Sequence, residues 1–189
     1  RGSVDFTGAG KLGSAGATFT TDSQSLVVSD LSTLNKMTEY SFSCWVYLTG
    51  TGTYNKTMMF LSSGNFNTAN KYITFGVSNY SSDGYTILNV PNPNGCYVGI
   101  NLAAEDYIKL NQWYHIAVCY KNNIIKGYIN GKYVGECAGH MLPSTEVSYY
   151  YIGAATYYAG FGLRGRLNDF KIFDHALSQA EVKELSKAL

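Results

Sequence analysis

The groups of this chain that could do chemistry are 13 acidic side chains, 3 histidines and 4 cysteines, and few stand at useful spacings. Hydrolysis of a glycosidic bond needs two carboxylates flanking the scissile oxygen. Successive strand residues face opposite ways, so a usable pair would stand two or more residues apart along one strand. No E-x-D-x-x-E occurs; Glu105-Asp106 are adjacent and would point apart, and Glu136 and Glu146 stand alone. No G-x-S-x-G nucleophile elbow is present. His115, His140 and His175 are far apart in sequence; His115 reads as a structural histidine in a strand, and His175 as making local hydrogen bonds. Gly8-Ala-Gly-Lys-Leu-Gly13 matches G-x-G-x-x-G, but a phosphate site of that kind needs a helix directly after it. Ser14-Ala-Gly-Ala-Thr-Phe-Thr20 follows instead, without helical periodicity, so the stretch reads as a flexible turn. The expectation is a protein that is not an enzyme.

Binding chemistry is better represented. There are 17 Tyr, 9 Phe and 2 Trp. A tyrosine joins an apolar face to a hydroxyl, which suits stacking against a sugar ring or a protein surface. The rings placed in or beside loops by this reading are Tyr80, Tyr85, Tyr149, Tyr150, Tyr157, Tyr158 and Phe161, and these are the ligand-binding candidates. Packing in a core competes with that role at every one of them.

Those rings must be held by β-structure. Thirteen strands are expected: Val4–Phe6, Ala17–Thr20, Ser25–Val28, Tyr40–Leu48, Thr57–Leu61, Tyr72–Val77, Tyr85–Val90, Tyr97–Leu102, Trp113–Tyr120, Ile124–Ile129, Lys132–Glu136, Ser148–Ile152 and Gly165–Phe173. Asn130-Gly131, flanked by alternating apolar residues, is a strong signal for a type I′ hairpin, because both turn positions need φ > 0. Phe42–Leu48 and His115–Tyr120 run almost continuously apolar and should be covered on both faces. Residues 62–70 and 78–96 read as long loops or lightly structured hairpins. Ser178-Gln-Ala-Glu181 is a capping box opening a terminal helix over 178–188, with Val182, Leu185 and Leu189 as its apolar stripe.

The 189 residues suffice for one domain over 1–189, with Arg1-Gly2-Ser3 reading as a tag remnant. The net charge of +1 and the absence of a basic run argue against nucleic acid, and no apolar run is long enough for a helix to span a bilayer. None of Cys44, Cys96, Cys119 and Cys137 forms a C-x-x-C pair, so a zinc site is not indicated. Cys44 and Cys119 lie in apolar strands and read as buried. Cys96 and Cys137 sit nearer loops and could pair, although sequence does not settle connectivity.

Three segments together resemble a known family. Tyr40-Ser-Phe-Ser-Cys-Trp-Val-Tyr-Leu48, the Trp113–Gly135 meander, and Tyr151-Ile-Gly-Ala154 followed by Gly165-Arg-Leu-Asn-Asp-Phe-Lys-Ile-Phe-Asp-His-Ala-Leu-Ser178 are similar to the laminin G-like, concanavalin A-like jelly rolls. The resemblance implies an all-β, two-sheet antiparallel sandwich with a short C-terminal helix. It also implies a calcium ion where the first strand meets the last, for which Asp5, Asn168 and Asp169 are the available ligands; Asp169 pairing with Arg164 or Arg166, or capping a turn, is the competing role. The style is similar to domains of bacterial surface proteins and phage tail-associated proteins. The function implied is non-catalytic recognition of a glycan or a surface protein, outside the cell or on a virion. The second reading is a structural or protein-interaction domain, an oligomer within a larger assembly. Trp113, His115, Asn130 and Gly131 are expected to build the sandwich, with function in the loops around it.

Overall fold

The computed structural model describes residues 3–13, 15–29, 37–51, 58–64, 72–81, 84–89, 96–98, 102–138, 149–154 and 161–187. The strands are β1 (Asp5–Ala9), β2 (Ala15–Phe19), β3 (Leu26–Ser29), β4 (Tyr40–Leu48), β5 (Met58–Gly64), β6 (Tyr72–Ser81), β7 (Gly84–Asn89), β8 (Cys96–Val98), β9 (Trp113–Lys121), β10 (Ile124–Ile129), β11 (Lys132–Ala138), β12 (Tyr149–Ile152) and β13 (Gly165–Phe173). One helix, α1 (Gln179–Leu185), follows. Each expected strand is found, with both ends as expected for β4, β10 and β13. Part of the 78–96 stretch, expected to be loop-like, is regular: β6 and β7 pair along their length. Residues 74–78 and 84–87 are buried on both faces, with Thr74, Ser78 and Thr86 buried alongside Phe75, Val77, Tyr85 and Ile87.

The strands form two antiparallel sheets, ordered β1-β2-β13-β4-β9-β10-β11 and β3-β12-β5-β6-β7-β8. Their facing surfaces enclose the core, in which Phe42 of one sheet stacks on Phe75 of the other at 5.9 Å. Tyr40, Phe42, Cys44, Val46 and Leu48 all point inward from β4 and are fully buried. Burying a large apolar side chain is worth about 1.5–3 kcal/mol, so this one strand is a main source of stability.

Both outer edges of the sandwich are strands of opposite sheets. β8 and β11 are the edge strands at one side, and they pack together. Cys137 of β11 is disulfide-bonded. Cys44 and Cys119 are free and buried.

The Asn130-Gly131 turn has φ of 50° and 76°, as a type I′ hairpin requires. A Cβ on Gly131 would lie 2.5 Å from Ser186 Oγ and 3.0 Å from Lys183 Cα, so glycine also lets the hairpin meet α1. The capping box forms as expected: Ser178 Oγ accepts from Glu181 N (3.3 Å), and Glu181 Oε2 accepts from Ser178 N (2.7 Å). Val182, with Leu177 before the helix, packs on Ala117, Cys119 and Tyr128. Helix α1 thus lies on the outer face of the seven-stranded sheet. This explains why β9 is apolar on both faces.

Candidate functional site

The outer face of the seven-stranded sheet is built by alternation and register. From β4 it receives Ser41, Ser43, Trp45 and Tyr47, and from β9 Trp113, His115, Ala117 and Cys119. Pairing stacks these into rows across β13, β4 and β9: Arg166–Tyr47–Trp113, then Asn168–Trp45–His115. Helix α1 and the residues before it cover Ala117 and Cys119. Accessible surface remains on either side.

On one side lies a groove of about 560 Å³ between the meander and the start of α1. Tyr128 and Tyr133 face each other across β10 and β11, centroids 5.9 Å apart and planes at 70°. Tyr128 is 4% exposed and Tyr133 is 40% exposed. The lower ring therefore fixes the upper one, whose face is open. Lys126 and Glu136 pair across the same two strands, and Ser178 and Gln179 close the rim. Burial holds the Tyr128 phenol above its ordinary range. Desolvation and then the Glu136 carboxylate do the same for Tyr133. Both hydroxyls are protonated donors at neutral pH. The groove offers an aromatic wall with a cation, an anion and hydroxyls, which suits a polyol with one apolar face.

The other side carries the two rows. The Arg166 guanidinium lies 4.6 Å from the Tyr47 centroid and 5.9 Å from that of Trp113. Lys11 Nζ lies 5.3 Å from the Trp45 ring. Trp45 and His115 meet edge to face at 5.4 Å. His115 is 2% exposed, and burial pushes its imidazole down to about 4, with Asp169 opposing and Lys171 reinforcing the change. Asn130 Oδ1 accepts from the His115 backbone (2.9 Å). Among the described residues, His115 Nδ1 and Trp45 Nε1 are buried without a hydrogen-bond partner. His115 is structural as expected, but its ring is not fully satisfied.

The residues nominated from sequence fare differently. Tyr85 and Tyr150 are each 2% exposed and belong to the core between the sheets, so neither ring can face a ligand. Strand alternation points both inward, and they are corrected to packing residues. Tyr80 lies in β6 and Tyr149 in β12. Phe161 is half-buried just before β13, and Tyr157 and Tyr158 lie outside the described residues. The calcium ligands do not converge. Asp5 is on the edge strand β1, two strands from β13, and accepts from Thr7 N and Oγ1, both at 2.7 Å. Asn168 Oδ1 accepts from Leu12 N (3.2 Å). Asp169, with φ 53° at a bulge, pairs with Lys171 at 2.6 Å rather than with an arginine, while Arg164 takes Asp22 at 3.1 Å. Among the described residues no three His, Cys, Asp or Glu gather as a metal shell. His175 Nδ1 bonds Asp174 (3.1 Å), a local contact as expected.

The groove residues Lys126, Tyr128, Tyr133 and Glu136 are not among the sequence-based ligand candidates, because the meander reads as scaffold. The alternation in Lys126-Gly-Tyr128 marks one shared face, which is the signal that could have found them.

A sandwich with this topology and an outer sheet face bearing aromatic and polar side chains defines a lectin-like jelly roll. Comparison with known families agrees: residues 19–183 match Laminin_G_3, the concanavalin A-like lectin/glucanases superfamily, and the chain belongs to it. No curated protein matches it in sequence. Among solved structures, it is similar to domain 4 of AbnA, an extracellular arabinanase of Geobacillus stearothermophilus in complex with arabinotriose. The TM-score is 0.64 at 17% identity, over 99% of this chain and 82% of that one. A heptameric pentraxin of Limulus polyphemus has TM-score 0.62 at 15% identity, over 87% and 73%. The Ruminococcus gnavus sialidase CBM40 bound to α2,3-sialyllactose has TM-score 0.62 at 13% identity, over 91% and 96%. At such identities the likeness is one of fold.

Proposed function

We propose that this domain is a non-catalytic glycan-binding module whose ligand site is the groove beside α1. The observation that carries this reading is Tyr133: an exposed ring braced edge-on by buried Tyr128, with Lys126, Glu136, Ser178 and Gln179 around it. A sugar ring would place its C–H face on Tyr133 and its hydroxyls toward those polar groups. Neighbours of the same fold that carry arabinotriose or α2,3-sialyllactose support a saccharide ligand. Adhesion, as part of a bacterial surface or phage tail-associated protein, is the setting we infer. A disulfide at Cys137 supports an oxidising compartment and hence an extracellular site.

The test is a glycan array followed by calorimetry on the strongest hit, with arabinotriose and α2,3-sialyllactose in the panel. Tyr133→Ala should weaken binding by about tenfold or more while leaving the melting temperature unchanged, because the ring is exposed. Unaltered affinity in that variant would remove the groove as the site.

One observation favours a second reading, protein assembly. The edge strands β1 and β3 carry exposed Phe6 (54%) and Val27 (48%). Open edges with exposed apolar residues invite strand pairing. A discrete oligomer by light scattering, dissociated by Phe6→Lys, would support it.

A further inference from the structure

The Gly8–Gly13 stretch has a structural task that its dinucleotide-like pattern does not suggest. It ends β1 and forms the turn into β2, and it grips the outer face of β13. Ala9 O accepts from Arg166 Nη1 at 3.0 Å. Gly8 lies flat against the Arg166 stem, where a Cβ would stand 3.4 Å from Cδ and 2.5 Å from Thr18 Oγ1. The guanidinium is thereby held over Tyr47, with Trp113 next in the row; the two rings are 5.4 Å apart. Arg166, Tyr47 and Trp113 are all partly exposed.

Arg166 is held in place, yet none of the carboxylates among the described residues pairs with it. Asp5 is closed on Thr7, Asp22 on Arg164 and Asp169 on Lys171. No ion pair of Arg166 occurs among the described residues. An arginine's planar fork matches a carboxylate, and bidentate pairing with one is the strong form of its charge-assisted hydrogen bonding. Lys11, over Trp45 in the neighbouring row, adds a second cation without an ion pair among the described residues.

We propose that Arg166, Tyr47 and Trp113 form a second site, separate from the groove, that binds a carboxylate-bearing saccharide such as a uronate. The carboxylate meets the guanidinium, and the apolar face of the sugar ring packs on Trp113. An acidic peptide fits less well: the site offers two cations beside two broad rings, and the chain has no basic run.

The probe is digalacturonate, with its dimethyl ester as the uncharged control and triglutamate as the peptide control. Binding is followed by NMR shift mapping and by Trp fluorescence. Digalacturonate should bind, shift residues of β13, β4 and β9, and weaken as salt rises. The ester should bind roughly tenfold to a hundredfold more weakly. Arg166→Gln should lose that discrimination, and Arg166→Lys should keep part of it, as a point charge without the fork. Melting curves of both variants establish that they fold. The proposal is overturned if the ester binds as well as the acid, or if Arg166→Gln matches wild type. It is also overturned if triglutamate binds more tightly, if digalacturonate does not bind, or if its shifts fall on β10 and β11. The last result would assign acidic sugars to the groove instead.

Discussion

Acid should destabilise this domain through one imidazole before it does so through any carboxylate. His115 is sealed under the outer face, edge-on to Trp45, with Nδ1 lacking a partner among the described residues. Its charged form would be buried beside Lys171, with Asp169 offsetting it in part, so burial pushes the imidazole from 6.5 to about 4. The sign follows from proton linkage. Above pH 6.5 both folded and unfolded chains hold a neutral ring, and the stability is fully present. As pH falls from 6.5 to 4, the unfolded chain takes up a proton that the folded one refuses. Each pH unit in that window costs about 1.4 kcal/mol, for a total of about 3 kcal/mol, and the loss ends below pH 4. That is a large part of the roughly 5–15 kcal/mol by which domains are stable.

The assay is urea unfolding at half-unit steps from pH 7.5 to 3.5, for wild type and His115→Gln. The variant loses stability overall, but its profile between pH 6.5 and about 5 should be nearly flat. Carboxylates held below their ordinary range, Asp5, Asp174, Glu39 and Glu181, cost stability at lower pH, as pH drops through their own range, and do so equally in both proteins. Parallel profiles for the two proteins would refute the argument. So would an NMR titration placing His115 near 6.5.

Other outcomes follow from single contacts. Cys137→Ser, or reduction, should cost about 2–4 kcal/mol, read as a lower urea midpoint; an unchanged midpoint would mean the Cys137 disulfide adds nothing to stability. Ser178→Ala removes the acceptor for Glu181 N and should cost about 1 kcal/mol, with loss confined to α1 by hydrogen exchange. Because Asp5, Asn168 and Asp169 do not converge, EDTA should leave the melting temperature unchanged; a fall reversed by Ca²⁺ would restore a calcium site to them.

How far the sequence was legible depends on which physical rule a feature obeys. Strands β4, β10 and β13 follow from local alternation and turn chemistry, and the I′ turn at Asn130-Gly131 from backbone conformation alone. Alternation also says that Lys126 and Tyr128 share a face, and that Tyr40 and Phe42 do. It does not say which face meets solvent. That is decided by what packs on each sheet: a second sheet inside, and α1 and the β1–β2 turn outside. Tyr150 and Tyr133 illustrate the difference. Both are strand tyrosines next to other polar or aromatic residues, yet Tyr150 is sealed between the sheets and Tyr133 is open. Arg166 makes the same point for charge. Arg164 and Arg166 are both near enough in sequence to pair with Asp169, but a bulge between Asn168 and Lys171 interrupts the register there and Asp169 takes Lys171 instead. Among the described residues the guanidinium above two rings is then left without an ion pair, and a local irregularity in β13 contributes to the site proposed for an acidic sugar.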